Sequence, residues 1–304
     1  MKKIHTLILL VFVCSASFAQ QDSQYTHYMY NTININPAYA GNRGALSIFG
    51  LHRTQWMGLE GAPTTYAASI NSPIENSKLG YGLSLVNDKI GAGNQSNIAV
   101  DLSYTIMISE EFDLSFGLKG SVDLLNVDYT KLNRYNVNNP IFQNNIDNEF
   151  SPNVGAGLFF FSEKMYLGAS VPYFLATKHF DDNTSGIEID RLHYYFIGGY
   201  VFDLSSNVKL KPSFLTKVVA GAPLQVDLSA NVMFSEKFTL GLAYRVDAAA
   251  TAMTGFQVNK NWFIGYSYDF ETTKLNNYNS GSHELFLRYE LPKINRRIIT
   301  PRFF

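Results

Sequence analysis

Cysteine is almost missing: the single one, Cys14, sits in an apolar N-terminal stretch. Once that stretch is removed on export no thiol remains, so disulfides and thiolate metal sites contribute neither stability nor chemistry. Charge is scarce too. Asp, Glu, Lys and Arg make up 16% of the 304 residues, against about 25% in ordinary soluble domains. Neither sign dominates, with 24 Lys plus Arg against 25 Asp plus Glu, so the chain carries no electrostatic footprint for nucleic acid. It also has no apolar run near the roughly 20 residues that a membrane helix needs, which excludes a polytopic helical membrane protein. What it has in plenty is rings: 23 Phe and 19 Tyr.

The N-terminus reads as a secretory signal over residues 1–19. Lys2 and Lys3 form the charged end, Leu7 to Val13 the apolar stretch, and Ser17-Phe18-Ala19 a small-x-small site with the cut after Ala19. A lipid-anchored Cys14 is the alternative, but the bulky Val13 before it fits that chemistry poorly. Losing Lys2 and Lys3 moves the formal net charge from −1 to −3.

From Ala45 to Glu290 apolar and polar residues alternate with period 2, the mark of strands with two unlike faces. Leu114, Phe116, Leu118, Val122 and Leu124 share one face, and Lys119, Ser121 and Asp123 the other. Val226, Leu228, Ala230, Val232 and Phe234 alternate with Asp227, Ser229 and Asn231; Leu285, Leu287 and Tyr289 alternate with Glu284, Phe286, Arg288 and Glu290. About fourteen such segments are expected, near 45–55, 64–72, 79–87, 95–108, 112–125, 152–161 and 165–175, then 190–202, 207–218, 223–234, 237–247, 251–259, 262–271 and 282–290.

The connections alternate in length. Tight polar turns such as Ser109-Glu110-Glu111, Ser162-Glu163-Lys164, Ser205-Ser206-Asn207, Ser235-Glu236-Lys237 and Asn259-Lys260-Asn261 fall after even-numbered segments. Long ones, about 126–151, 176–189 and 272–281, follow odd-numbered segments. Short turns at one end and long loops at the other are the habit of a transmembrane barrel, not of a soluble sandwich. Hydrocarbon offers backbone groups no partners, so a spanning sheet must close on itself. The expected fold is therefore all-β: an antiparallel outer-membrane barrel of about 14 strands over 44–291, with both barrel ends on the periplasmic side. A short periplasmic or lumenal segment over 20–43 precedes it and a periplasmic tail over 292–304 follows.

Tyr104, Phe112, Tyr166, Tyr173, Tyr194, Tyr195, Trp262 and Tyr289 lie near segment ends, where aromatic girdles sit at headgroup level. Lys119, Asp123, Lys209, Lys211, Asp227, Arg245, Asp247, Arg288 and Glu290 are expected to face the lumen. Their mixed signs fit an interior braced by ion pairs or filled by the N-terminal segment better than a selective ion pore.

No catalytic constellation emerges. His27, His52, His179, His193 and His283 have no nucleophile motif around them, and no phosphate-binding or dinucleotide fingerprint is present. His179 with Asp181 and Asp182 lies in a polar loop where charges are usually just solvated, and His283-Glu284 reads as a rim pair at the start of the last strand. No enzyme activity, cofactor or metal is expected. Arg53 and Trp56 admit two readings. In one, Arg53 snorkels and Trp56 anchors the girdle; in the other, Arg53, Gln55 and Trp56 with Gly61-Ala62-Pro63 shape a fixed mouth for a partner.

Residues 21–41, QDSQYTHYMYNTININPAYAG, do not alternate like a membrane strand, and Asn36-Pro37 and Gly41-Asn42 mark chain reversals. Gln24-Tyr25, Tyr28-Met29-Tyr30-Asn31, Ile35-Asn36-Pro37-Ala38-Tyr39-Ala40-Gly41, His52-Arg53-Thr54-Gln55-Trp56 and Gly61-Ala62-Pro63-Thr64-Thr65 resemble the N-terminal signature of the PorP/SprF family. The ending Pro301-Arg302-Phe303-Phe304 resembles members of that family as well. The resemblance implies an accessory of the type IX secretion system, an outer-membrane protein surrounded by lipid. It implies partners in the periplasmic ring of that machine, a secreted adhesin or its type B C-terminal domain, and a link to gliding motility. Candidate partner-binding residues are then Tyr28, Asn31, Asn36, Pro37, Tyr39, Arg53, Gln55, Trp56 and Pro63. A passive diffusion channel for small solutes is the alternative, since fourteen strands can enclose a lumen.

Overall fold

The computed structural model describes residues 26–131, 145–175 and 192–292. Strands β1 (Ala45–Thr54), β2 (Thr64–Pro73), β3 (Leu79–Ile90), β4 (Gly93–Met107), β5 (Asp113–Val127), β6 (Ile146–Phe161) and β7 (Met165–Val171) form one half of a sheet. Strand β8 runs from His193 to Tyr200 and resumes as Phe202–Ser205 after an interruption at Val201. The other strands are β9 (Val208–Val219), β10 (Gln225–Phe234), β11 (Phe238–Arg245), β12 (Ala249–Gln257), β13 (Trp262–Glu271) and β14 (Ser282–Pro292).

Each strand pairs antiparallel with the next, and β14 pairs with β1 from Ala45 opposite Pro292 to Thr54 opposite His283. The ring is closed, with fourteen spanning strands once the two pieces of β8 are joined. Closure gives every strand two neighbours, which is what hydrocarbon demands of a spanning sheet. Among the described residues no helix is long and apolar enough to cross a membrane.

The alternation has the expected sense. Leu118 is 68% exposed and Leu242 70%, in a belt shared with Leu83, Leu102, Leu158, Leu228 and Leu285. Their chain neighbours Lys119, Gly241, Ser84, Ser103, Ser229 and Glu284 are buried on the inner side. A barrel in lipid reverses the soluble rule: oil outside, polar groups within.

Connections 74–78, 108–112, 162–164, 206–207, 235–237 and 258–261 lie at one end, and those after β1, β5, β7 and β13 at the other. Two connections at the long-loop end are nonetheless tight: 91–92 after β3 and 246–248 after β11. Length alternation is thus looser than the sequence suggests. Residues 1–25, most of the loops expected over 126–151 and 176–189, His179 with both aspartates, and 293–304 lie outside the described residues.

Three expectations need correction. Tyr166 and Tyr195 are buried inside the barrel, not placed in a girdle. Asp247 is an exposed residue of the 246–248 turn with φ 56°, not a lumenal charge. Arg53, only 2% exposed, points into the lumen with Leu51 and does not snorkel.

Candidate functional site

The lumen is occupied by the chain itself. From Thr26 to Gly44 nearly every residue is buried, although no spanning strand includes them. Two short 3₁₀ turns, Thr32–Asn34 and Pro37–Tyr39, give the segment its shape. Pro37 opens the second turn, where its missing N–H costs nothing and its fixed φ suits a helical start. Asn36 caps it, accepting from Ala38 N at 3.0 Å while its Nδ2 donates to the Leu158 carbonyl of the wall at 2.9 Å.

At the long-loop end the plug begins in a polar latch. Arg53 near the end of β1 reaches Asp269 of β13 (Nη2–Oδ2 2.7 Å) and Glu284 of β14 (Nη1–Oε2 3.1 Å). Glu284 accepts two consecutive backbone amides, Thr26 N at 3.0 Å and His27 N at 2.8 Å, and its Oε1 lies 2.5 Å from His27 Nδ1. The Thr26 hydroxyl contacts Asp269 and accepts from Arg53 at 2.9 Å, and Thr251 donates to Asp269 at 2.7 Å. Taking such charges out of water costs several kcal/mol each unless pairing and further hydrogen bonds compensate; here every carboxylate is met by more than one donor.

Below the latch lies an aromatic core. Phe286 contacts His27 at 4.6 Å, Tyr30 at 4.8 Å and Phe49 at 5.2 Å between ring centroids. Tyr30 also stacks on Phe263, with Arg288 and Lys211 cations 5.6 and 5.2 Å from its ring centre. Tyr39 packs edge-on against Phe159 at 5.4 Å.

Toward the short-turn end the wall is smoothed by glycine. A Cβ on Gly117 would come within 2.1 Å of Ala38 N, and one on Gly157 within 2.1 Å of Asn36 Oδ1. Wall hydroxyls take the plug's free carbonyls: Ser170 donates to Ile35 O and Ser103 to Ala40 O, both at 2.6 Å. Arg43 pairs with Glu290 just before β1 begins. Elsewhere the lumen is braced by Lys119–Asp101 at 2.9 Å and Arg245–Asp227 at 2.6 Å.

The candidate residues therefore divide. Tyr28, Asn31, Asn36, Pro37, Tyr39 and Arg53 are buried within the barrel, Asn31 accepting from Ser69 at 3.0 Å. Gln55 and Trp56 stay partly exposed at the mouth beside the buried Pro63. Trp56 holds φ 47°, donates from Nε1 to Glu271 at 3.2 Å, and donates from its backbone N to Ser282 Oγ at 3.1 Å. Met57 N donates to Gly281 O and Ser280 N to Met57 O, so loops 55–63 and 272–281 are stitched together. On a neighbouring loop of the long-loop end the Thr130 hydroxyl, 2.6 Å from Asp128, and Lys131 hold the Asp128 carboxyl below its usual range.

Glu284 is no rim residue: it is fully buried and organises the latch, a correction to the reading of His283-Glu284. Asp269, Gly117 and Gly157 were not singled out by sequence reasoning. His52 faces outward and stacks on Tyr66, and His283 bonds the Tyr266 hydroxyl. Among the described residues no cluster of three or more His, Cys, Asp or Glu is arranged to hold a metal ion.

A closed fourteen-stranded antiparallel ring with an apolar exterior and a self-filled polar lumen defines a plugged outer-membrane β-barrel. A solved barrel shares the architecture. The chain resembles a deltaS2S3 mutant of the TodX monoaromatic hydrocarbon channel at 7% identity and TM-score 0.50, over 89% of this chain and 95% of that one. The Ralstonia pickettii toluene transporter TbuX gives 9% identity and TM-score 0.49, over 91% and 95%. The KdgM porin gives 11% and 0.37, over 81% and 99%. At 7% identity the likeness to the TodX barrel speaks for the fold alone. No curated relative matches the chain. Residues 17–289 match the family described as type IX secretion system membrane protein PorP/SprF, and the chain belongs to that family.

Proposed function

We propose that this barrel is a non-enzymatic accessory of type IX secretion that docks the periplasmic ring components at its short-turn face. Its outer loops then receive a secreted surface adhesin, or that adhesin's type B C-terminal domain, for export or anchoring, with gliding motility as the downstream process. The supporting observation is the filled lumen: a barrel closed by its own residues 26–44 offers surfaces, not a path. A passive diffusion channel would need open space where Tyr30, Phe263 and Phe286 are packed. At the mouth, Gln55 and Trp56 are the residues proposed to meet the cargo, with the buried Pro63 holding Gln55 through its carbonyl, on loops tied into a fixed shape. Arg53 supports that mouth from within, while Tyr28, Asn31, Asn36, Pro37 and Tyr39 fill the lumen toward the short-turn end.

Deleting the gene tests the reading. Loss of a surface adhesin together with its accumulation inside the cell is expected. Normal secretion and anchoring of every surface adhesin would contradict it. Affinity capture from detergent-solubilised membranes should bring down periplasmic ring proteins, and Trp56→Ala should weaken recovery of the cargo while leaving the ring proteins bound.

A further inference from the structure

Strand alternation should put oil on every outward position, yet the two outward rows of β1 to β4 nearest the long-loop mouth are polar. Paired through the register, one row runs His52, Tyr66, Asn87 and Ser96, and the next runs Thr54, Thr64, Lys89 and Asn94. On the opposite wall the corresponding outward positions of β8 to β11 are Tyr194, Phe196, Val218, Val226 and Tyr244, with Thr216 alone polar. A cation on the lipid face costs about 2–4 kcal/mol at the bilayer midplane and little near the interface, so Lys89 fixes these rows at headgroup level. His52 lies against Tyr66, ring centroids 4.6 Å apart and 27° between planes, and Tyr66 is 54% exposed, so the pair turns an open aromatic face outward. Beside it the Asn87 amide donates to Asn94 Oδ1 at 2.8 Å and to Ser96 Oγ at 2.9 Å, which gathers amide and hydroxyl groups next to the ring. Lys89 is exposed and forms no ion pair among the described residues, and neither row carries a carboxylate. Toward the membrane centre Gly50 faces open space beside Ala68, between the exposed Leu287 and Leu85. Two small residues between tall ones make a trough in the oily wall, continuous with the polar rows above it.

We infer that this face of β1 to β4 seats one lipid of the outer leaflet, a phosphorylated glycolipid. Its sugar ring lies on the His52–Tyr66 face, its hydroxyls meet Asn87, Asn94 and Ser96, its phosphate meets Lys89, and an acyl chain fills the Gly50–Ala68 trough. The C–H face of a sugar packs on an aromatic surface, while amides and hydroxyls both donate and accept, as a polyol requires. A lone ammonium with no carboxylate beside it suits an anion. A zwitterionic phospholipid fits less well: it has no ring for the aromatic face, and it brings a cation to a patch without a carboxylate to receive it. The choice of leaflet rests on the reading that the long-loop end faces outward.

Lipid binding by the purified full-length barrel in detergent tests the inference. The probes are lipid A carrying its phosphates, lipid A with the phosphates removed, and phosphatidylglycerol, with bound lipid counted by native mass spectrometry. Phosphorylated lipid A is expected to bind about tenfold tighter than either other probe, and Lys89→Gln should weaken it about tenfold, the worth of one charge-assisted bond. Gly50→Leu, which fills the trough, should weaken it as well, while Thr216→Ala on the opposite wall should not. These side chains point away from the plug, so each variant should keep the parent's denaturant midpoint. Failure to retain phosphorylated lipid A, equal retention of phosphatidylglycerol, or retention unchanged by both Lys89→Gln and Gly50→Leu would overturn the inference. Because the assay uses no cells, its failure leaves the secretion reading standing, and normal adhesin secretion in the deletion strain leaves a bound lipid standing.

Discussion

The two ends of the plug are held by different physics. At the outer end Thr26 and His27 are gripped by charge: Arg53, Asp269 and Glu284, none more than a few per cent exposed, joined by short hydrogen bonds. At the inner end Asn36, Pro37 and Ala38 lie against backbone, admitted by Gly117 and Gly157 and fixed by single wall hydroxyls. The outer end tolerates no loss of a partner, because what remains is a buried unpaired charge. The inner end tolerates no gain of volume. One end is specified by chemistry, the other by shape.

The largest effect should come from breaking the latch. Glu284→Ala leaves Arg53 and the amides of Thr26 and His27 short of an acceptor and should cost about 3–5 kcal/mol, read as a lower denaturant midpoint of the barrel in detergent. Glu284→Gln, which keeps an acceptor for the two amides and leaves Arg53 paired with Asp269, should recover part of that loss. Next, a charge on the lipid face, Leu118→Arg, should cost about 2–4 kcal/mol in bilayers and leave the plug in place, which separates wall stability from plug stability. Filling the inner dock with Gly117→Val should cost about 1–3 kcal/mol and displace residues 36–38, seen as new protease or cysteine-labelling sensitivity in that stretch. Trp56→Gly removes a positive-φ strain together with the Glu271 bond, so the net stability change should stay below about 1 kcal/mol. The Asp128 turn should matter least: its depressed carboxyl supports the turn above the ordinary carboxylate range and ceases to as pH falls below it, visible as faster local amide exchange without any change in the barrel's midpoint.

The strand pattern was legible because lipid enforces it. Runs such as 226–234 and 238–245 alternate cleanly, and their observed strands fall within a few residues of the expected ones. The plug was half legible. Residues 21–41 declared themselves by failing to alternate, and mixed lumenal charges hinted at an occupied interior, but which wall residues receive the plug was not readable. A period-2 reading treats Phe286 or Tyr166 as an exception or a girdle ring, whereas both are inward aromatics packed in the buried core that the plug completes. Inward aromatics among polar neighbours, at Phe49, Phe159, Phe263 and Phe286, were the signal available. Glu284 was misread because its place next to a loop suggests solvent, while its face parity with Phe286 and Arg288 puts it inside. Gly117 and Gly157 look in sequence like ordinary strand glycines; only the plug's backbone beside them explains the need for no side chain.

The claim beneath all of this is that residues 26–44 fill the lumen from mouth to mouth. Single-channel recording in planar bilayers tests it most directly, comparing the intact barrel with one lacking Thr26 to Arg43. The account predicts a silent intact protein and steady current once the segment is deleted; steady current from the intact protein, unchanged by the deletion, would contradict it.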